Sequence, residues 1–398
     1  MNRFRMLTGT LLASAVLAGC GMPSSVVPMG AQAPAVSKDD FRGNGTSRRE
    51  IVVKLTPGIG AMSLGIKAKR VIPSINTMVV EVPDGKTPEQ MIAELSKTGR
   101  VQYVDYVNQV ILEEEAVDPM MQDQYALTNT NATTAWKTTK GNAKTIIAVI
   151  DTGADMNHPD LKDKIVKSYN VFTKTAAVSD SHGHGTHCAG IAAAALNGVG
   201  IAGIAPDAGL MPVQVLNAGG GGSDATIAEG IVWAADNGAK VMTMSLGLYK
   251  RSKVLEEALQ YALDKDVTLV ASAGNNNILN DPETAPHLPS TYPGVIEVAA
   301  TDVNNQKARF SNFGKTVTVA APGVDILSTV PGNYKKMSGT SMASPAAAGV
   351  AALIRTKYPN LKQAQVKAHL EKTAKDLGDP GFDQYFGHGL VDAAAAVR

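Results

Sequence analysis

Hydrophobic patterning divides the chain into two textures. Over residues 49–112 apolar and polar positions alternate in short runs, 51–55 closed by Thr56-Pro57-Gly58 and 78–82 closed by Pro83-Asp84-Gly85. Each reads as a strand ended by turn residues. Thr87-Pro88-Glu89 supplies an N-cap and an early proline for a helix whose apolar positions include Met91, Ile92 and Leu95, with Gly99 as its stop. Residues 101–110 predict one more strand. A strand–strand–helix–strand unit this short has a core that is marginal alone. It contains no histidine and no metal-ligand cluster, so patterning alone predicts a binding module.

From Asp118 onward the apolar runs become continuous: 145–150, 210–216, 240–246, 267–272 and 295–300. Helical segments separate them at 184–196, 226–237, 254–265 and 341–357. Strands apolar on both faces and alternating with helices predict an α/β fold with a mainly parallel, doubly covered sheet. Reactive side chains in such folds gather at the carboxyl ends of the strands. The four glycines Gly219 to Gly222 lack a following Gly-Lys-Ser/Thr and so do not form a phosphate loop.

Composition narrows the partners. The chain has 398 residues, 44% hydrophobic, with a formal net charge of +1. This length supports two domains, or one large domain with an appendage. The charge balance gives no attraction to nucleic acid, and none is expected as a partner. Two cysteines, Cys20 and Cys188, exclude a disulfide framework. Arg3 and Arg5 precede a short apolar stretch, 6–17, too brief to span a membrane permanently. Leu17-Ala18-Gly19-Cys20 resembles the lipobox of bacterial lipoproteins, which implies cleavage before Cys20 and lipidation of its thiol. An ordinary secretory signal with an incidental cysteine is the alternative. Residues 21–48 then read as a flexible linker.

Three motifs carry chemistry. Asp151-Thr152-Gly153 ends the first core strand, His182-Gly183-His184-Gly185-Thr186-His187-Cys188 opens a helix, and Gly339-Thr340-Ser341-Met342-Ala343-Ser344-Pro345 opens another. Each has a plain alternative alone: a strand-end aspartate often caps a turn, and a histidine beside glycine can cap a helix or bind metal. Together the three supply what acyl transfer needs. A serine hydroxyl is a poor nucleophile until a base takes its proton. Neutral imidazole does so near pH 7, and a carboxylate fixes its tautomer. A serine at a helix start also places free N–H groups beside the developing oxyanion.

In these motifs and their order the chain resembles the subtilisin superfamily, and thermitase-like members most closely, over 118–398. The resemblance implies a self-processing serine endopeptidase of subtilisin-like α/β fold, working through an acyl-enzyme. Asp151, His184 and Ser341 take the triad positions, with His184 chosen over His182 and His187. Asn275, after Ala273-Gly274, matches the oxyanion asparagine; its alternative is a turn residue in Asn275-Asn276-Asn277. Ser245-Leu246-Gly247 and Gly220-Gly221-Gly222 match the edges that hold an extended protein or peptide substrate, and Leu248, Ala273 and Gly274 match further substrate-binding positions. Leu248 stands where a second glycine is usual, which implies a narrowed or reshaped pocket. Asp118, Asp160, Ala195, Asn197, Val199 and Ile201 match a tight Ca²⁺ site of carboxylate and carbonyl oxygens; Asp160 could instead cap the turn after Pro159. Asn170, Thr173 and Thr175 stand where a second calcium site would need acids. Cys188, one turn after His184, matches a buried cysteine of thermitase-like relatives and implies sensitivity to mercurials.

Residues 49–115 resemble the family's inhibitory propeptide, a small α+β domain that blocks the cleft in cis, before a peptidase domain over 116–398. The implied sequence is a signal over 1–20, a linker over 21–48, and a maturation cut between about Glu113 and Asp118. The precursor is then expected to be exported and lipid-anchored, touching the membrane only through that lipid. The mature enzyme is expected to be a secreted monomer.

Overall fold

The structure, a computed structural model, describes residues 41–110 and 117–398. The expected signal, Cys20 and most of the expected linker therefore lie outside the described residues, as does 111–116 within the expected maturation segment. The chain divides into two compact units, Met1–Glu114 and Glu115–Arg398.

In the first unit, β1 (Thr46–Leu55), β2 (Ala68–Ile72), β3 (Thr77–Glu81) and β4 (Val101–Asn108) form an antiparallel sheet of order β2-β3-β1-β4. Helix α1 (Pro88–Ser96) begins in a capping box, in which Gln90 N donates to Thr87 Oγ1 and Thr87 N to Gln90 Oε1. Met91 and Leu95 of this helix pack onto Ile51, Val53, Met78 and Val80. Strand β2 is absent from the sequence reading because it is an edge strand. Lys69, Arg70, Val71 and Ile72 are all exposed, so no alternation marks it.

The second unit is built on a seven-stranded sheet. Its strands are β5 (Ile146–Asp151), β6 (Tyr169–Asn170), β7 (Gly209–Gln214), β8 (Val241–Met244), β9 (Thr268–Ser272), β10 (Ile296–Thr301) and β11 (Val317–Pro322). Their order is β11-β10-β9-β8-β5-β7-β6, and every pairing is parallel. Along β5, Ile147 and Val149 face one buried layer while Ala148 and Ile150 face the other, which is why the run reads as unbroken hydrophobicity. One layer holds helices α2 (His184–Ala193), α5 (Thr340–Lys357) and α6 (Gln363–Thr373); the other holds α3 (Asp224–Asp236) and α4 (Lys253–Asp264). A hairpin of β12 (Ile326–Val330) and β13 (Asn333–Met337) precedes α5.

Strand β5 lies between β7 and β8, so the chain reverses its direction of travel across the sheet there. The carboxyl end of β5, which is Asp151, therefore sits at a topological switch point, where open α/β sheets form their clefts. Helix α2 ends at Ala193, three residues earlier than its small-residue run suggests. Ala195 N turns away to Asp160 O, and the following loop wraps around two buried carboxylates.

Candidate active site

Asp151 is fully buried at the end of β5, and His184 opens α2 behind Gly183, whose φ of 90° lets the chain turn sharply into the helix. His184 Nδ1 lies 2.8 Å from Asp151 Oδ1 and 3.0 Å from Oδ2. Gly185 has to be glycine: a Cβ there would lie 2.2 Å from Gly153 O. Burial disfavours the charged imidazole, but the Asp151 carboxylate outweighs it and raises the His184 pKa well above the ordinary 6.5.

Ser341 is the second residue of α5. Pro345 has no N–H to offer the carbonyl four residues back. The Ser341 carbonyl is instead taken by Ser245 Oγ at 2.8 Å and Cys188 Sγ at 3.4 Å, which pins the serine's backbone. Ser341 Oγ itself donates to Ser245 O at a long 3.4 Å, and not to His184. Cys188 is buried, its pKa is pushed up by burial, and its sulfur lies 3.9 Å from His184 Nδ1.

Asn275 follows β9. Its Oδ1 accepts from Thr340 N at 2.8 Å and Thr340 Oγ1 at 2.9 Å. A backbone N–H can only donate, so the amide orientation is fixed and Nδ2 is the end left over to donate. Gly274 N donates to the same Thr340 hydroxyl, joining the β9 end to the start of α5.

The cleft beside these groups has a volume of about 680 Å³ and is lined by Thr152, His182 and His184, by Gly219 to Gly222, and by Ser245 to Leu248. The structure thus brings Gly220, Gly221, Gly222, Ser245, Leu246, Gly247 and Leu248 to one opening. Ala273 and Gly274 lie on the neighbouring strand end. Leu248 pairs its backbone with Leu288 in both directions, at 2.9 and 3.0 Å.

Asp118 and Asp160 are both buried. Asp118 Oδ1 accepts from Asn197 N and Gly198 N, and Asp160 Oδ2 accepts from Ile201 N, yet Asp118 Oδ2 and Asp160 Oδ1 have no partner. Burial raises both pKa values. Among the described residues the carbonyls of Ala195, Val199 and Ile201 make no hydrogen bond, whereas those of Gly200 and Ala202 between and beyond them do. Two uncompensated buried carboxylate oxygens with alternate free carbonyls make a donor set suited to a hard divalent cation. Asn170 Oδ1 accepts from Phe172 N and Thr173 N, the Thr173 and Thr175 hydroxyls pair with each other, and Asn170 Nδ2 donates to Gln214 Oε1 at 2.8 Å.

A family model described as the subtilase family matches residues 142–389, more than half of the chain. The chain belongs to the subtilase family. A second model, the fervidolysin N-terminal prodomain, matches residues 48–106. The thermophilic serine proteinase of Bacillus sp. (strain AK1) is 44% identical over 276 residues, covering 69% of this chain and 67% of the relative. Thermitase of Thermoactinomyces vulgaris is 42% identical over 277 residues, 69% of this chain and 96% of thermitase. Among solved structures, fervidolysin from Fervidobacterium pennivorans, a keratinolytic enzyme related to subtilisin, superposes with a TM-score of 0.65 at 29% identity. That match covers 90% of this chain, which spans 62% of the fervidolysin chain. The second unit is thus a subtilisin-type serine endopeptidase domain, preceded by a prodomain-like unit.

The fold separates the three histidines of this subtilase. His187 is buried with Nε2 2.9 Å from Lys335 O, and burial lowers its pKa to about 4. His182 lies on the cleft wall, its ring 6.1 Å from that of His184. Only His184 faces a carboxylate.

Asp180 is a residue that motif reading passed over. It is buried, and its two oxygens accept from Thr152 Oγ1, His182 N, Gly183 N, Thr186 N and Thr186 Oγ1 at 2.6–3.2 Å. Burial opposes ionisation here, but the hydrogen bonds outweigh it and hold its pKa below the usual range. Asp180 ties the strand end carrying Asp151 to the helix start carrying His184. An acid just ahead of the Gly-His-Gly-Thr string is the sequence signal for it.

Proposed function

We propose that this subtilase hydrolyses peptide bonds through an acyl-enzyme on Ser341. Ser341 Oγ attacks the scissile carbonyl carbon while His184 Nε2 takes its proton, and the carbonyl electron pair moves onto oxygen. Asn275 Nδ2 and the free N–H groups at the start of α5 stabilise that oxyanion. Collapse breaks the C–N bond, and His184 returns the proton to the leaving amine. Water then repeats the sequence at the acyl ester and frees the acid. Asp151 holds the imidazole through Nδ1 and stabilises its charged form. The observation that carries this reading is the convergence of the Asp151–His184 pair, the pinned Ser341 and the fixed Asn275 amide at one end of one sheet.

An extended substrate would pair with Gly220–Gly222 on one side and Ser245–Gly247 on the other. Asp118, Asp160, Asn197 and the carbonyls of Ala195, Val199 and Ile201 would hold a structural Ca²⁺, which neutralises the buried carboxylates. The first unit serves as propeptide and inhibitor in cis, a reading supported by its match to the fervidolysin prodomain. The precursor is lipid-anchored at Cys20 and exported, and the mature monomer is released by a cut between about Glu113 and Asp118.

Expressing the full chain and its Ser341→Ala variant in a protease-free system tests this. Wild type should yield a shortened, peptide-hydrolysing form with a new N-terminus in that segment, and Ser341→Ala should remain full length. Equal maturation of both would remove self-processing by this serine.

A further inference from the structure

One of the substrate-holding edges, Ser245–Gly247, follows β8, and the neighbouring β9 is followed by Ala273 and Gly274, so two adjacent strand ends each present a glycine, Gly247 and Gly274. Glycines at such places open a slot for the side chain of the residue whose carbonyl is attacked, P1. Here the space beside both is already filled. A Cβ on Gly247 would lie 2.4 Å from His287 Nε2, and one on Gly274 would lie 2.8 Å from the Tyr249 hydroxyl. The two rings lie 4.7 Å apart, tilted by 56°, and pack against each other as a single plug.

The plug is anchored unequally. His287 is 3% exposed, with Nδ1 2.9 Å from Ser290 Oγ. Ser290 Oγ lies 3.0 Å from Oε1 of the fully buried Glu297. That oxygen also accepts from Asn280 Nδ2, which donates in turn to Ala273 O, both at 2.6 Å. One side of the plug is therefore wired through a buried carboxyl to the wall beside Asn275. Tyr249 is 47% exposed and held at its hydroxyl by Asn312 Nδ2 at 3.3 Å. A long P1 side chain would have to displace Tyr249, and could displace His287 only by breaking the buried chain.

We propose that Tyr249 and His287 set the P1 specificity of this protease by occupying its slot, so that it cleaves after residues with short side chains. The inference rests on the reading of Gly247 and Gly274 as the slot's walls. It differs from a general narrowing at Leu248, whose backbone is spent on Leu288.

The test is a series of peptide p-nitroanilides differing only at P1, as Ala, Leu and Phe, given to the enzyme matured from the full-length precursor. Wild type should prefer Ala over Phe in kcat/KM by about tenfold or more. Tyr249→Ala and His287→Gly should each raise the Phe/Ala ratio about tenfold or more. Tyr249 is exposed, so its variant carries the test even where His287→Gly fails to fold. A wild type that prefers Phe, or a Tyr249→Ala ratio equal to wild type, overturns the plug while leaving the peptidase reading intact. Failure of the matured wild type to cleave any of the peptides overturns both.

Discussion

Asn275 offers a prediction in which two roles can be separated. Its Nδ2 is the proposed oxyanion donor, while its Oδ1 anchors Thr340 N and Oγ1 at 2.8 and 2.9 Å. Asn275→Ala removes both. Loss of one oxyanion donor costs about 2.7–4 kcal/mol, an amount established on subtilisin itself, or about 10²–10³ in kcat. The two anchor bonds are worth about 1 kcal/mol each to stability and do not act on the transition state directly. Asn275→Asp keeps an acceptor for Thr340 but turns the donor into a carboxylate oxygen, which repels an oxyanion. The donor role therefore predicts that Asn275→Asp is at least as slow as Asn275→Ala, with KM little changed in both. An anchoring role predicts the reverse, with Asp milder than Ala. The assay is kcat on a chromogenic peptide, normalised by titrating reactive serines. Either variant retaining more than about a tenth of wild-type kcat, or Asp clearly outperforming Ala, refutes the assignment.

Three further outcomes follow from the same geometry. Because Asp151 raises the His184 pKa, the base is protonated and lost as pH falls through that value, so the acid limb of kcat/KM should lie above pH 6.5. Asp151→Asn should move the limb down and reduce kcat by about 10⁴. Chelation should lower the melting temperature by about 5 °C or more by removing a cation bound to the folded state, and Asp160→Asn should abolish the calcium dependence seen in calorimetry. Asp180→Asn should destabilise the enzyme at neutral pH. Its depressed pKa contributes stability above the ordinary aspartate range, so the gap to wild type should shrink in acid unfolding as pH falls below about 4.

The site was more legible in the sequence than the periphery of the fold. The runs ending near Asp151, Leu246 and Ser272 are apolar on both faces, and that pattern marks buried parallel strands without reference to tertiary partners. The Asp, His and Ser motifs then fall at strand ends and helix starts, where turn chemistry is local. Edge strand β2 and strand β13 escape the pattern because their positions are mostly exposed. Strands β12 and β11 are buried, but Ser328, Thr329 and Thr318 interrupt their apolar runs, and helix α6 buries only Val366 and Leu370. Asp180, Tyr249 and His287 escaped for another reason. Each acts through contacts with segments distant in the chain, such as Thr152 for Asp180 and Gly247 for His287. The early end of α2 belongs to the same class, since Ala195 N bonds the distant Asp160 carbonyl and the Asp118 and Asp160 carboxylates hold the loop from Asn197 onward.

If Ser341 is the nucleophile activated by His184, a fluorophosphonate should label it, and peptide mapping of the treated enzyme locates the label. A single covalent adduct on Ser341 is expected, absent in Ser341→Ala and formed far more slowly in His184→Ala. An adduct on Cys188 or another serine, or peptide hydrolysis surviving in Ser341→Ala, would contradict it.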